Sequence, residues 1–210
     1  MGALLRARLL AMNSDSIVLA AKAVRRGFLV VFPTDTVYGL GCDPLNHAAV
    51  RRLFEAKGRE SKPVPILCAS TERAGELVKL SGHAAELARK YWPGALTIVA
   101  KLRRPLPPQL TQGGEYLGVR VPAHSGALEL IAACGGWLTG TSANHSGNPS
   151  ARSAGEALDE LGESVEFVLD GGRLGGQEST VVKVVGADVT ILRTGPIGVG
   201  NEEEEGRRTS

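Results

Sequence analysis

Aromatic residues are scarce. Phe, Trp and Tyr together make up 4% of the 210 residues, while hydrophobic residues make up 43%. Such a chain must build its core from Val, Leu, Ile and Ala, and it is poorly supplied for stacking bases on aromatic rings. Cysteine is sparse too. Cys42, Cys68 and Cys134 are far apart, odd in number and never spaced C-x-x-C. That argues against a zinc site and fits a reducing cytosol, with Cys68 and Cys134 as small core residues in apolar runs. The four histidines, His47, His83, His124 and His145, show no ligand spacing. No apolar run approaches the length of a membrane span. The formal net charge is only +2, so bulk electrostatics call for no polyanionic partner, and any anion site must come from local clustering. There is no G-x-x-x-x-G-K-[ST] and no G-x-G-x-x-G opening a helix. The chain is therefore not a P-loop protein, and a dinucleotide fold is unsupported.

What the chain does have is an interleaved set of helix and strand patterns. Ile17, Ala20, Ala21 and Val24 recur at helical spacing after Ser14, read as an N-cap, with Gly27 as the stop. Further helices are expected at Val50–Lys57, 70–80, 83–91, 125–134 and Ala154–Leu161. Strands are expected at 28–32, 64–69, 95–101, 117–121, 137–141, 165–170, 179–185 and 189–193. The irregular interleaving and the hairpin-like spacing of the late strands predict a single α/β domain, residues 14–198, with a mixed sheet and helices outside rather than a doubly wound fold. Residues 1–13 are faintly similar to a transit peptide and are read as a frayed or amphipathic extension. Residues 199–210 read as an acidic, disordered tail.

Four polar segments interrupt this scaffold. "EAKGRESKP" (55–63) gathers Lys57, Arg59 and Lys62 at one helix end. The helix dipole accounts for Lys57 but does not require the other two, which lie past the last turn. Lys57 falls on the helix's buried stripe. "PTDTVYGLG" (33–41) offers Thr34, Asp35 and Thr36, with Gly39 and Gly41 allowing close backbone approach to a ligand. It reads equally as a turn held by local side-chain bonds. "TGTSANHSGNPSARS" (139–153) is too rich in hydroxyls and amides to be core, and suits either a loop that wraps a polar ligand or a plain surface loop. "DGGRLGGQESTVVKV" (170–184) exposes backbone N–H groups of the kind that cradle anions. Arg120, alternating with Leu117, Val119 and Val121, faces away from their core side, and Arg193 ends the last strand.

Taken in order, these residues resemble the YrdC-like L-threonylcarbamoyladenylate synthases. The resemblance runs from about Ser14 to about Gly198. It rests on "PTDTVYGLG", a K-x-R at Lys57-Gly58-Arg59, an S-x-N at Ser142-Ala143-Asn144, "STVV" at Ser179–Val182 and an R-x-G at Arg193–Gly195. Each motif is weak alone, and five in order are specific. The family's fold is a twisted, partly open α/β sheet with a concave basic cavity. Its activity is that of a nucleotidyltransferase: L-threonine, bicarbonate (or CO2) and ATP give L-threonylcarbamoyl-AMP and pyrophosphate, for threonylcarbamoyladenosine modification of tRNA. The resemblance implies Mg²⁺ accompanying ATP, a cytoplasmic location, and transient contact with tRNA and a downstream threonylcarbamoyl transferase. It places Thr36, Arg120, Ser142 and Ser179 on threonine and Arg59, Lys62, Asn144 and Arg193 on the nucleotide. Tyr116 and Arg152 are further nucleotide contacts, and Lys57 and Arg59 lie beside the reacting groups. Many members carry a histidine after the strand that follows K-x-R, and here that stretch reads "VPILCAS". The family's long form adds a C-terminal domain, which is not expected in this chain.

Two other functions compete. A non-catalytic RNA-binding domain would use the concave basic face, but it meets few aromatics and an acidic tail. A carbamoyltransferase-like maturation factor would need the further domains and cysteine pairs of that group.

Overall fold

A computed structural model describes residues 7–58 and 62–199. Chain order is β1 (Arg8–Ala11), α1 (Ser14–Arg25), β2 (Val30–Phe32), β3 (Gly39–Gly41), α2 (His47–Lys57), β4 (Ile66–Cys68), α3 (Thr71–Leu77), α4 (His83–Tyr91), β5 (Leu96–Lys101), a 3-10 turn (Pro108–Leu110) and β6 (Tyr116–Arg120). There follow α5 (Ser125–Ala133), β7 (Trp137–Thr139), β8 (Thr141–Ser142), α6 (Ala154–Leu161), β9 (Phe167–Asp170), β10 (Thr180–Val185) and β11 (Asp188–Arg193). The strands divide between two sheets, in the orders β1-β9-β2-β3-β8 and β11-β10-β5-β6-β4-β7. Both mix parallel pairs, such as β2 with β9 and β5 with β10, with antiparallel ones, such as β5 with β6 and β10 with β11. The expected mixed α/β architecture is present, distributed over two sheets rather than one.

Burial explains why the apolar strands read as continuous runs rather than alternating ones. In β2, Val31 packs into the larger core, while Val30 and Phe32 pack on the other face against Ile17, Ala20 and Val24 of α1 and Leu130 of α5. A strand covered on both faces needs no polar side. The larger core lies between the sheets, where Leu40 and Val168 meet Leu96, Ile98, Leu117 and Val182, together with Val50 and Leu53 of α2. Each such side chain, fully buried, contributes about 1.5–3 kcal/mol.

Local capping sets the helix ends. Asn13 caps α1 through Ser16 N, one residue before the expected Ser14. Ser70 and Ser153 cap α3 and α6, and Asn46 caps α2. Three segments differ from the sequence reading, one of them residues 137–141, expected as one strand but divided at Gly140 between β7 and β8 of different sheets. Residues 8–11, read as part of a frayed extension, form β1 and lie parallel on β9, because Arg8 N and Met12 N find backbone acceptors at Glu166 and Asp170, at the two ends of that strand. Residues 39–41, read as a ligand-hugging turn, form β3. A side chain at Gly41 would strike Phe32 and Leu138 at 2.8 Å, so that glycine serves packing between strands.

The two sheets meet where β7 passes into β8. Thr139 N donates to Cys42 O at 3.0 Å, Cys42 N donates to Thr139 Oγ1 at 2.8 Å, and Gly140 N donates to Pro65 O at 2.9 Å. At Gly140 a Cβ would sit 2.4 Å from Leu67 Cγ. Leu67 is itself 3% exposed, and it is its branch carbon rather than a flexible tip that the added methyl would meet. Gly140→Ala should therefore lower stability by about 1–3 kcal/mol, read as a shifted midpoint in denaturant unfolding. An unchanged midpoint would show that the crossover is not tightly packed.

Candidate functional site

The crossover opens one side of a cavity of about 290 Å³. Its walls come from segments far apart in sequence: Thr34 and Thr36 after β2, Lys57 and Lys62 around the end of α2, and Thr97 and Arg120 on β5 and β6. Ser142 and Asn144 follow β7, and Glu178, Ser179 and Arg193 lie beside β10 and β11. Eight of the residues singled out from the sequence are thus brought together: Thr36, Lys57, Lys62, Arg120, Ser142, Asn144, Ser179 and Arg193. Arg59 lies outside the described residues, as does the tail from residue 200. Two others are not in the cavity lining. Tyr116 begins β6, four residues from Arg120, or about 13 Å along the strand, and carries Lys183 Nζ 4.3 Å above its ring. The Arg152 guanidinium donates to Gly175 O at 3.0 Å, away from the cavity.

Arg120 does not sit on an exposed edge. It is 5% exposed and spans the gap between the sheets. Its Nε donates to Gly94 O at 2.8 Å, its Nη1 to Thr36 Oγ1 at 3.0 Å and its Nη2 to Asp35 Oδ1 at 2.5 Å. Burial pushes the guanidinium below its ordinary value, and the Asp35 carboxylate counters that. Five N–H donors are present in the fork, so two remain for another acceptor. The turn it grips is held internally: Thr34 Oγ1 donates to Val37 O at 2.7 Å and accepts from Thr36 N at 3.1 Å. The local turn and the ligand-site reading of "PTDTVYGLG" are therefore the same structure.

Lys57 is used differently from what charge clustering suggested. It is 2% exposed, and its ammonium donates to Ser142 O at 2.6 Å, Asn144 O at 2.6 Å and Asn144 Oδ1 at 3.0 Å. Ser146 N returns a bond to Lys57 O at 3.0 Å. The lysine thus holds the long loop from inside. From outside, Glu160 on α6 accepts from His145 N and Asn148 Nδ2, which holds its carboxyl below the usual range. Asn144 Nδ2 closes the loop by donating to Asn148 O at 2.6 Å.

On the opposite wall, Ser179 Oγ lies 2.9 Å from Thr97 Oγ1 and accepts from Arg193 Nη2 at 3.1 Å. Arg193 Nε donates to Ser179 O at 3.0 Å, and its Nη1 meets Glu178. Glu178 also accepts from Ser150 Oγ at 2.5 Å. Burial raises the Glu178 carboxyl, but the Ser150 hydroxyl and the Arg193 charge outweigh it and hold the group below its ordinary value. Thr97, Ser150, Glu160 and Glu178 were not singled out as site residues, and Asp35 was named only as a carboxylate of its turn, without a partner. Asp35 and Glu178 stood inside or beside the quoted motifs, and the clustered arginines called for counter-charges there. Among the described residues no group of three or more His, Cys, Asp or Glu could hold a metal ion, and no helix is long and apolar enough to cross a membrane. Burial pushes the Cys42 thiol up to about 12 and raises Cys68 as well, so neither is a nucleophile near neutral pH.

Two outcomes follow. Lys57→Met should cost about 3 kcal/mol, because buried oxygens lose a charged donor at about 1–3 kcal/mol each. Thermal unfolding checks this, and a loss under 1 kcal/mol would mean the loop does not depend on it. The second concerns pH. A carboxylate with a depressed folded pKa stabilises the fold fully above its unfolded value, near about 4.3, and loses that contribution as pH falls through the folded value. Glu156 and Glu160 shift the same way, so the parent's acid sensitivity is not diagnostic by itself. The stability difference between parent and Glu178→Gln should shrink as pH drops below about 4, and a difference constant from pH 7 to 3 would contradict the pairing.

Comparison with known proteins places this geometry. The family model for Sua5/YciO/YrdC proteins, described as telomere recombination, matches residues 22–195. A threonylcarbamoyl-AMP synthase of Pyrococcus abyssi is 42% identical over 190 residues, covering 89% of this chain and 55% of that protein. The structure of P. abyssi Sua5 complexed with L-threonine superposes with a TM-score of 0.86 at 38% identity, covering 95% of this chain and 60% of that one. E. coli YciO superposes with a TM-score of 0.85 at 25% identity, over 92% of this chain and 98% of that one. The chain thus spans little more than half the length of the Pyrococcus relative. A match across most of its length identifies the chain as a member of the Sua5/YciO/YrdC family.

Proposed function

We propose that this domain is an L-threonylcarbamoyladenylate synthase, joining L-threonine, bicarbonate or CO2 and ATP into L-threonylcarbamoyl-AMP with release of pyrophosphate. The observation that carries the reading is the convergence of Thr36, Arg120, Ser142, Asn144, Ser179 and Arg193 on one cavity. The threonine-bound Pyrococcus structure and the synthase names of the relatives support it. The reaction class is nucleotidyl transfer, supplying the intermediate for threonylcarbamoyladenosine in tRNA. Contact with tRNA and with the transferase that consumes the product belongs to the same proposal, as does a cytoplasmic setting and a catalytic domain spanning residues 14–198.

The chemistry asks for charge compensation and alignment more than for a nucleophile. A carbamate oxygen attacks the α-phosphate, so a carboxylate, a carbamate and a triphosphate crowd together and repel one another. Arg120, already fixed by Gly94, Thr36 and Asp35, offers its remaining N–H groups to the threonine carboxylate. Ser142 and Ser179 hold the amino acid from the two walls. Lys62, Arg193 and Asn144 face the nucleotide, with Arg59 assigned there by its place in the K-x-R motif. Lys57 acts through the loop, presenting Ser142 and Asn144 in fixed positions, and such positioning lowers the barrier by removing the entropy of alignment. Mg²⁺ would enter with ATP, on the phosphates. It would neutralise phosphate charge, as Mg²⁺ commonly does with one or two carboxylates and several waters.

Purified protein given ATP and Mg²⁺ should form an AMP-linked threonine carbamate, detected by mass spectrometry, only when threonine and bicarbonate are both present. Equal ATP consumption without threonine would refute the assignment.

A further inference from the structure

The cavity is built for anions, yet the amino acid it is proposed to take carries an ammonium as well. Among the described residues that line the cavity, Glu178 has the only carboxylate. Lys62, Arg120 and Arg193 would repel an ammonium. The hydroxyls of Thr34, Thr36 and Thr97 could accept a hydrogen bond from it but could not neutralise it. Asp35, the nearest other carboxylate to Arg120, is 15% exposed and turned to that guanidinium. Glu178 is placed between the two walls. Its neighbour in sequence is Ser179, and Ser142 lines the same cavity. Those two serines are the residues assigned to the amino acid. Its oxygens already meet Ser150 and Arg193, but an ionised carboxylate has about four acceptor positions, and its side chain keeps 33% of its surface exposed.

We propose that Glu178 binds the α-ammonium of the substrate and so restricts the site to amino acids over hydroxy acids of the same shape. The inference rests on the synthase reading above. It also implies where in the reaction the contact acts. Before the nitrogen can be carboxylated the ammonium must give up a proton to water or bicarbonate, and the carbamate that forms carries no positive charge, so the attraction ends. Glu178 therefore serves capture of the free amino acid, and its loss should appear in KM and not in kcat.

The test compares L-threonine with (R)-3-hydroxybutyrate, which is threonine without its amine, by calorimetry on the parent protein and on Glu178→Gln. In the parent, the hydroxy acid should bind at least tenfold more weakly than threonine. In Glu178→Gln, threonine binding should fall at least tenfold, hydroxybutyrate binding should change less than twofold, and ATP binding less than threefold. In turnover, the KM for threonine should rise at least tenfold with kcat within threefold. A parent that binds both acids equally would overturn the inference whatever the variant does, including a variant that fails to fold. Equal weakening of both acids, or a loss confined to ATP, would overturn it in favour of Glu178 as a support for Arg193. A parent that neither binds nor consumes threonine would instead bring down the synthase reading and this inference with it.

Discussion

The Arg120 guanidinium, buried between two sheets, is the constraint from which the site follows. A charge removed from water needs both a counter-charge and hydrogen-bond acceptors. Asp35, Thr36 and Gly94 supply them, and they come from different parts of the chain. Holding Asp35 and Thr36 there requires the turn that Thr34 closes on Val37. The same turn begins the path into β3, which pairs with β8 and so brings Ser142 beside the cavity. One satisfied cation thus couples the sheet that carries β6 to the sheet that carries the loop.

Three of the four cations on the cavity wall have different uses, and exposure separates them. Lys57 is enclosed and spends its protons on loop oxygens. A cation at this point does what several loop–core contacts would otherwise do, since a loop of small polar residues has little apolar surface to bury. Arg120 is enclosed too, but only part of its fork is committed. Arg193 is partly open, and it holds Ser179 in place through both its backbone and its hydroxyl. Charge alone treats these alike, and the geometry does not.

Much of the fold was legible because periodicity and capping agree. The stripe Ile17, Ala20, Ala21, Val24 gave α1, the run 83–91 matched α4 residue for residue, and Ala154–Leu161 did the same for α6. β1 was missed because Arg8–Ala11 is a short edge strand whose pairing is decided by β9, about 160 residues later in the chain. Nothing local marks it. β3 was missed because Gly39 and Gly41 weaken any strand pattern, and their reason lies in Phe32 and Leu138. Within the site, motif residues converged, while of their counter-charges Glu178 went unremarked and Asp35 was named without its partner. A carboxylate beside a motif looks like ordinary surface until the fold shows which arginine it faces.

The two ion pairs of the cavity differ in a way that bears on binding. In Arg120–Asp35 the side chains are 6% and 15% exposed, and in Arg193–Glu178 they are 45% and 33%. Breaking a buried pair strands a charge, which typically costs about 3–5 kcal/mol. An exposed pair is screened and is worth at most about 1 kcal/mol. A ligand phosphate or carboxylate can therefore displace Glu178 from Arg193 at small cost, but cannot displace Asp35 from Arg120. The first pair is an exchangeable contact, able to trade partners as charged substrates arrive. The second is a fixed frame against which those substrates are aligned. The proposed reaction, which brings a triphosphate and an amino acid into one cavity, calls for both, because a wholly fixed charge set would repel one of them and a wholly exchangeable one would hold neither in register.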